Sequence, residues 1–234
     1  MTSFHKPLLI NHYEYNMANT LPFPTDRLAK LLLPGPAGQL EVMITSPEIP
    51  RNPPTLVVIC HPHPLFGGTL HNKVIYTLAR CFNSIGLAAV RFNFRGVGLS
   101  LGEYYNGNGE TDDLLAILAW LKESCPERAI WLAGFSFGAY VAARAAKVWP
   151  AKQLICVAPP IENFPFKELP PFPCPWILVQ GDEDEVVSPT AVFSWVNSLE
   201  HPPEVIKIHG ATHFFHGHLI ELRDCLATLL NKTH

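Results

Sequence analysis

The chain has 234 residues, 48% of them hydrophobic, and a formal net charge of -3. That is enough apolar material for one large core without metal or disulfide staples, and no basic run is present of the kind a nucleic-acid binder needs to neutralise phosphates. Six cysteines (Cys60, Cys81, Cys125, Cys156, Cys174 and Cys225) are scattered singly with no C-x-x-C pair, which argues against a zinc ribbon or redox motif and fits buried thiols in a reducing compartment.

In chain order, residues 1–26 alternate polar and aromatic without a sustained period and end in Leu21-Pro22-Phe23-Pro24, so they read as an N-terminal extension. Met17 within it is an alternative start. The opening Met1 to Leu8 carries Lys6 but no long apolar run after it, unlike a signal peptide. No apolar run approaches the roughly 18 residues a spanning helix needs. The expectation is a soluble, cytoplasmic protein with no membrane partner.

From Leu28 the texture changes. Leu28 to Leu33 and Leu40 to Thr45 flank the turn Pro34-Gly35-Pro36-Ala37-Gly38 and predict an antiparallel hairpin. Strands are then expected over Thr55 to Cys60, Ala88 to Phe94, Ala129 to Ala133, Leu154 to Ala158, Trp176 to Gln180 and Glu204 to Ile208. Helices are expected over Lys73 to Ile85, Thr111 to Glu123, Phe137 to Val148, Pro189 to Leu199 and Leu219 to Leu230. Apolar strands separated by helices imply a mostly parallel, twisted sheet covered on both faces. Pro159 to Pro175 holds seven prolines with Phe164, Phe166 and Phe172 among them, too much proline for a helix. It predicts a minimal lid or pocket wall, or an inert packed loop.

Gly134-Phe135-Ser136-Phe137-Gly138 follows an apolar strand and opens a helix, the context that makes G-x-S-x-G a nucleophile elbow. The sharp turn lifts the Ser136 hydroxyl clear, and the helix N-terminus brings free N–H groups where negative charge would develop. The bland alternative is a serine helix cap. A serine needs a base, and the order serine, acid, histidine directs attention downstream. In Gly181-Asp182-Glu183-Asp184-Glu185 four carboxylates compete. Asp184, just before Val186-Val187, is the first choice and Asp182 the second. In His209-Gly210-Ala211-Thr212-His213-Phe214-Phe215-His216-Gly217-His218, His213 lies where the base belongs. His209 still belongs to the strand end, and His216 or His218 could line the site. An oxyanion hole would use the backbone N–H of Phe137. Its second donor would come from His61-Pro62-His63-Pro64-Leu65-Phe66-Gly67-Gly68. Prolines have no N–H, so the candidates are His63 and Leu65, with His63 favoured by its place third after the strand.

With Pro62 in place of the glycine of the common His-Gly signature, the run H-P-H-P-L-F-G-G-T-L-H-N-K resembles a branch of small bacterial α/β-hydrolases. Further matches are Arg91-Phe92-Asn93-Phe94-Arg95-Gly96-Val97-Gly98-Leu99-Ser100 and Gly109-Glu110-Thr111-Asp112-Asp113, and the similarity spans about residues 28–232. The resemblance implies the α/β-hydrolase fold as a single domain over residues 27–234, a Ser136–His213–Asp184 triad and ester-type hydrolysis. Esterases, thioesterases and prolyl-oligopeptidase-type catalytic domains are similar too.

Two rival motifs are weaker. His61, His63 and His71, or His213, His216 and His218, could be read as metal ligands, but neither set has the i, i+4 helical spacing of a common zinc pair. Gly96-Val97-Gly98-Leu99-Ser100 lacks the Lys-Ser or Lys-Thr of a phosphate loop and the last glycine of a dinucleotide fingerprint. No cofactor and no metal are therefore expected. The expected function is cleavage of a small-to-medium carboxylic ester or thioester through an acyl-enzyme. The alternatives are a peptidase or amidase, and a binding scaffold without turnover. The phenylalanines of the lid segment, with Phe66, Phe135, Phe137, Phe214 and Phe215, suggest an apolar cleft for short-to-medium acyl groups without interfacial activation.

Overall fold

The computed structural model describes residues 21–232. Most of the expected extension over residues 1–26, Met17 included, lies outside the described residues. Of its last six positions, Leu21 and Phe23 lie against the domain. The Leu21 carbonyl accepts from Trp120 Nε1 at 2.8 Å, Phe23 stacks on Trp120, and the Arg128 guanidinium sits 4.3 Å from the Phe23 ring.

The hairpin forms as predicted. β1 (Leu28–Gly35) pairs antiparallel with β2 (Gly38–Thr45), from Leu28 opposite Thr45 to Gly35 opposite Gly38. Six strands follow: β3 (Thr55–Cys60), β4 (Ala88–Phe92), β5 (Ala129–Phe135), β6 (Gln153–Val157), β7 (Trp176–Gly181) and β8 (Glu204–Ile208). They join one eight-stranded sheet of order β1-β2-β4-β3-β5-β6-β7-β8, parallel from β4 to β8. β2 pairs antiparallel with both its neighbours, β1 and β4. This is the α/β-hydrolase arrangement that the resemblance implied.

The helices are α1 (Lys73–Ser84), α2 (Asn108–Ser124), α3 (Phe137–Ala146), α4 (Pro189–Asn197) and α5 (Leu219–Lys232). Side chains of a strand point alternately to its two faces, and the apolar runs split accordingly. Leu56, Val58 and Cys60 of β3 pack with α2, α3 and α4, whereas Val57 and Ile59 pack with α1 and α5. Both faces are covered, so the strands need no polar alternation.

α2 begins three residues before the predicted Thr111. Glu110 explains the difference, because its carboxylate accepts from the N–H groups of Tyr105 (2.8 Å) and Gly107 (2.7 Å) and caps the extra turn. The proline-rich segment between β6 and β7 makes one 3-10 turn, Pro165–Glu168, and no lid helix. No helix among the described residues is long and apolar enough to cross a membrane.

Candidate active site

Ser136 stands between β5 and α3 with φ of 53° and ψ of -122°, a conformation that costs a side-chain-bearing residue energy and persists only when its surroundings fix it. They do. Ser136 N donates to the Val157 carbonyl at 2.8 Å, and the Ser136 carbonyl accepts from Ala139 N at 2.8 Å. A Cβ at Gly134 would lie 2.1 Å from the Gly138 carbonyl oxygen, and one at Gly138 would lie 2.1 Å from the Cys60 carbonyl oxygen. The two glycines of the motif therefore let β5, α3 and the end of β3 touch backbone to backbone.

The structure brings His213 and Asp184 to this serine. His213 Nε2 lies 3.1 Å from Ser136 Oγ, and His213 Nδ1 lies 2.9 Å from Asp184 Oδ2. The side chains of His213 and Asp184 are 3% and 0% exposed. Asp184 Oδ1 also accepts from Val186 N (2.9 Å) and Val187 N (2.7 Å), and Oδ2 from Gln180 Nε2 (2.8 Å). Burial alone pushes the Asp184 carboxyl up, but the bonds from His213, Val187 and Val186 outweigh it and hold it below its ordinary value. An ionised Asp184 accepts from Nδ1–H, which leaves Nε2 of a neutral imidazole as acceptor for the serine hydroxyl.

The competing residues have other partners. Asp182 accepts from His209 Nδ1 (2.8 Å) and Gly210 N (2.7 Å) and pairs with Lys207 Nζ (3.1 Å). These partners, His209 first, hold its carboxyl well below the usual carboxylate range. His209 is itself pushed up by Asp182. His218 pairs with Glu221 at 2.9 Å at the start of α5, and His216 lies beside Phe214 on the surface.

On the opposite side of Ser136, Phe137 opens α3. The β3 loop makes a 3-10 turn at Pro64–Phe66, and Leu65 N donates to His63 Nδ1 at 3.2 Å. The Leu65 N–H is thus engaged inside the turn, and of the two candidate donors His63 is the one these bonds do not use. The His63 ring lies 4.8 Å from Phe66, 4.8 Å from Tyr104 and 4.9 Å from Phe137, and burial lowers its pKa. His61 is a different residue in kind. It is fully buried, its Nδ1 bonds the Pro62 carbonyl at 2.7 Å, and its Nε2 accepts from Phe94 N at 3.0 Å. Both nitrogens are committed, so it can neither ligate a metal nor reach an acyl oxygen without breaking one of these bonds. Among the described residues no three His, Cys, Asp or Glu side chains gather as a metal site.

The phenylalanines divide. Phe135, Phe137, Phe166 and Phe215 are buried, and Phe166 and Phe172 pack on Trp195 and Trp176 respectively. Phe164 reaches the Phe137 ring at 5.3 Å, while Phe66 (86%) and Phe214 are exposed. The rings of His63, Tyr104 and Phe164 pack over buried Phe137, Phe66 lies against His63, and Phe214 lies beside His213.

Sequence reasoning assigned no role to several residues that shape this site. Arg95 makes a forked pair with buried Asp113 (2.7 Å), whose other oxygen also holds Arg95 N, and Asn93 donates to Glu41 at 2.7 Å while its carbonyl accepts from Ser100 Oγ. These bonds fix the loop after β4 that carries Tyr104. The runs R-F-N-F-R-G-V-G-L-S and G-E-T-D-D contain them, but nothing local to either run tells that they meet.

A sequence model of the family described as serine aminopeptidase, S33, matches residues 51–172. An uncharacterized protein of Rickettsia prowazekii (strain Madrid E) is 36% identical over 214 residues, covering 86% of this chain and 89% of that protein. An alpha-beta serine hydrolase homologue from Coxiella burnetii superposes with a TM-score of 0.83 at 51% identity, covering 86% of this chain and 97% of its own. A serine hydrolase without a lid from Xanthomonas campestris superposes with a TM-score of 0.86 at 41% identity, covering 91% and 97%.

Proposed function

The chain belongs to the serine aminopeptidase S33 family of α/β serine hydrolases, and from that premise we propose that it cleaves small-to-medium carboxylic esters or thioesters through an acyl-enzyme on Ser136. The observation that supports this most directly is the continuous chain from Asp184 to His213 (2.9 Å) to Ser136 (3.1 Å), ending on a serine held at φ of 53°. His213 Nε2 takes the hydroxyl proton as Oγ attacks the carbonyl carbon. The main-chain N–H groups of Phe137 and His63 receive the oxyanion. The imidazolium, steadied by Asp184, then protonates the leaving alcohol or thiol, and water repeats the sequence to free the acid. The six free thiols fit a reducing cytoplasm.

Incubation with a fluorophosphonate is expected to label Ser136, and Ser136→Ala is expected to remove both labelling and turnover of p-nitrophenyl butyrate, a loss of about 10⁴-fold or more. Turnover that survives Ser136→Ala would sink the proposal, and tight ligand binding with no turnover in the wild type would favour a scaffold. The family's description supports a second reading, cleavage of aminoacyl amides. Aminoacyl p-nitroanilides beside matched esters decide between them by the ratio of kcat/KM.

A further inference from the structure

Beyond the Asp182–His209 pair, the acid loop and the histidine loop are joined by four further hydrogen bonds. Asp182 Oδ1 accepts from Gly210 N (2.7 Å), Glu183 N donates to the Ala211 carbonyl (3.1 Å), Asp184 Oδ2 bonds His213 Nδ1 (2.9 Å), and Glu185 Oε2 accepts from His213 N (3.1 Å). The last two grip one residue, His213, by its ring and by its main chain. The chain around His213 is irregular, with Gly210, Phe215 and Gly217 all at positive φ, so neither a strand nor a helix ladder fixes its backbone. Asp184 alone would fix Nδ1 and leave the imidazole free to pivot about that bond, moving Nε2 relative to Ser136.

We propose that Glu185 is a positioning residue for the base: by holding the main-chain N–H of His213 it fixes the Cα from which the imidazole reaches Ser136. The proposal rests on the function proposed above and deepens it. Glu185 touches no reacting atom. Its carboxylate acts as a hydrogen-bond acceptor on a surface-exposed side chain, so the amide of glutamine can replace it. Its effect belongs to the same element as that of Asp184, so the two are coupled through His213 and not independent.

The test compares wild type, Glu185→Ala, Glu185→Gln, Asp184→Asn and the double variant Asp184→Asn/Glu185→Ala on p-nitrophenyl butyrate. Competent sites are counted by fluorophosphonate titration, so that misfolded protein does not enter the rate. For Glu185→Ala, kcat per titrated site is expected to fall about tenfold while KM stays within about twofold, the signature of a misplaced base and not of lost binding. Glu185→Gln should recover most of that loss. On the Asp184→Asn background, where the ring is already released, Glu185→Ala should cost less than about twofold more. An unchanged kcat per site in Glu185→Ala, a Gln variant as impaired as the Ala variant, or a full additive penalty in the double variant would each overturn the proposal. If wild type neither labels nor turns over, the reading of the whole site falls, and Glu185 with it. If wild type labels and turns over while the Glu185 series is flat, the positioning role alone falls.

Discussion

His61 shows how far a residue's surroundings can remove it from the role its type suggests. It begins a histidine-rich run beside the site, yet burial pushes its pKa down to about 4 from an ordinary 6.5. It therefore stays neutral in the fold and serves as a hydrogen-bond bridge from the β3 loop to Phe94 N. The unfolded chain binds a proton at His61 between about pH 6.5 and 4 while the folded chain does not, so stability is lost as the pH falls through that window. The loss levels off below 4, at about 3 kcal/mol from this residue. Urea unfolding from pH 7 to 4 should show that decline in wild type. His61→Gln can keep the acceptor but cannot titrate, so it should flatten the slope by that share. An equal slope in both proteins would contradict the assignment. Asp184 shows the opposite sign of environment, since its bonds keep a buried carboxyl ionised.

At the scale of elements, the elbow works because three backbones share a space that one methyl group would fill. A Cβ at Gly138 meets the carbonyl oxygens of Cys60 at 2.1 Å and His61 at 2.5 Å, neither of which is a flexible side-chain end. Gly138→Ala must therefore push α3 away from the β3 loop, widening the gap between Phe137 N and His63 N. It is expected to cost about 3 kcal/mol or more in urea unfolding and to slow fluorophosphonate labelling of Ser136 in whatever folds. A variant as stable and as reactive as wild type would show that the close approach is unnecessary. The loop after β4 relies on a different device. The Arg95–Asp113 fork, 11% and 0% exposed, holds a stretch without regular structure against α2, and with it Tyr104 against His63. Breaking one partner of such a pair leaves a buried charge alone.

For the whole molecule, the sheet presents Ser136, Asp184 and His213 at the carboxyl ends of β5 and β7 and beyond β8, and no helix from the β6–β7 segment covers them. Without a helix there to move aside, no lipid surface is expected to be needed for activity. If Phe66, Tyr104 and Phe164 face an acyl chain, as proposed, they would shield a few methylenes, each worth about 0.8 kcal/mol, and would not enclose a long chain. Across acetyl, butyryl, octanoyl and palmitoyl esters of one leaving group, kcat/KM is expected to rise to butyryl or octanoyl and fall at palmitoyl. No jump is expected as substrate passes its solubility limit. A maximum at acetyl, or a jump at the micelle threshold, would count against this picture.

What the sequence by itself determined is what local rules carry. Short apolar runs bounded by turn residues and the period-3.6 pattern placed the eight strands and five helices of the described residues to within a few residues, and the glycines around Ser136 marked a turn that only a strand entering a helix can make. Chain order narrowed the acid to one loop and the base to another. Within each loop the sequence put Asp184 ahead of Asp182 and His213 ahead of its neighbours, but the partners of each side chain belonged to the tertiary structure, because Asp182 and Asp184 differ little in local sequence. Asp184 points inward to Gln180, Val186, Val187 and His213, whereas Asp182 faces Lys207, His209 and Gly210. The partners of Glu185, the union of Arg95 with Asp113 and the division of the phenylalanines between core and surface were likewise decided only there. Each depends on which surfaces the sheet brings together across tens of residues, and a hydrogen bond between distant segments leaves no period and no spacing in the chain that forms it.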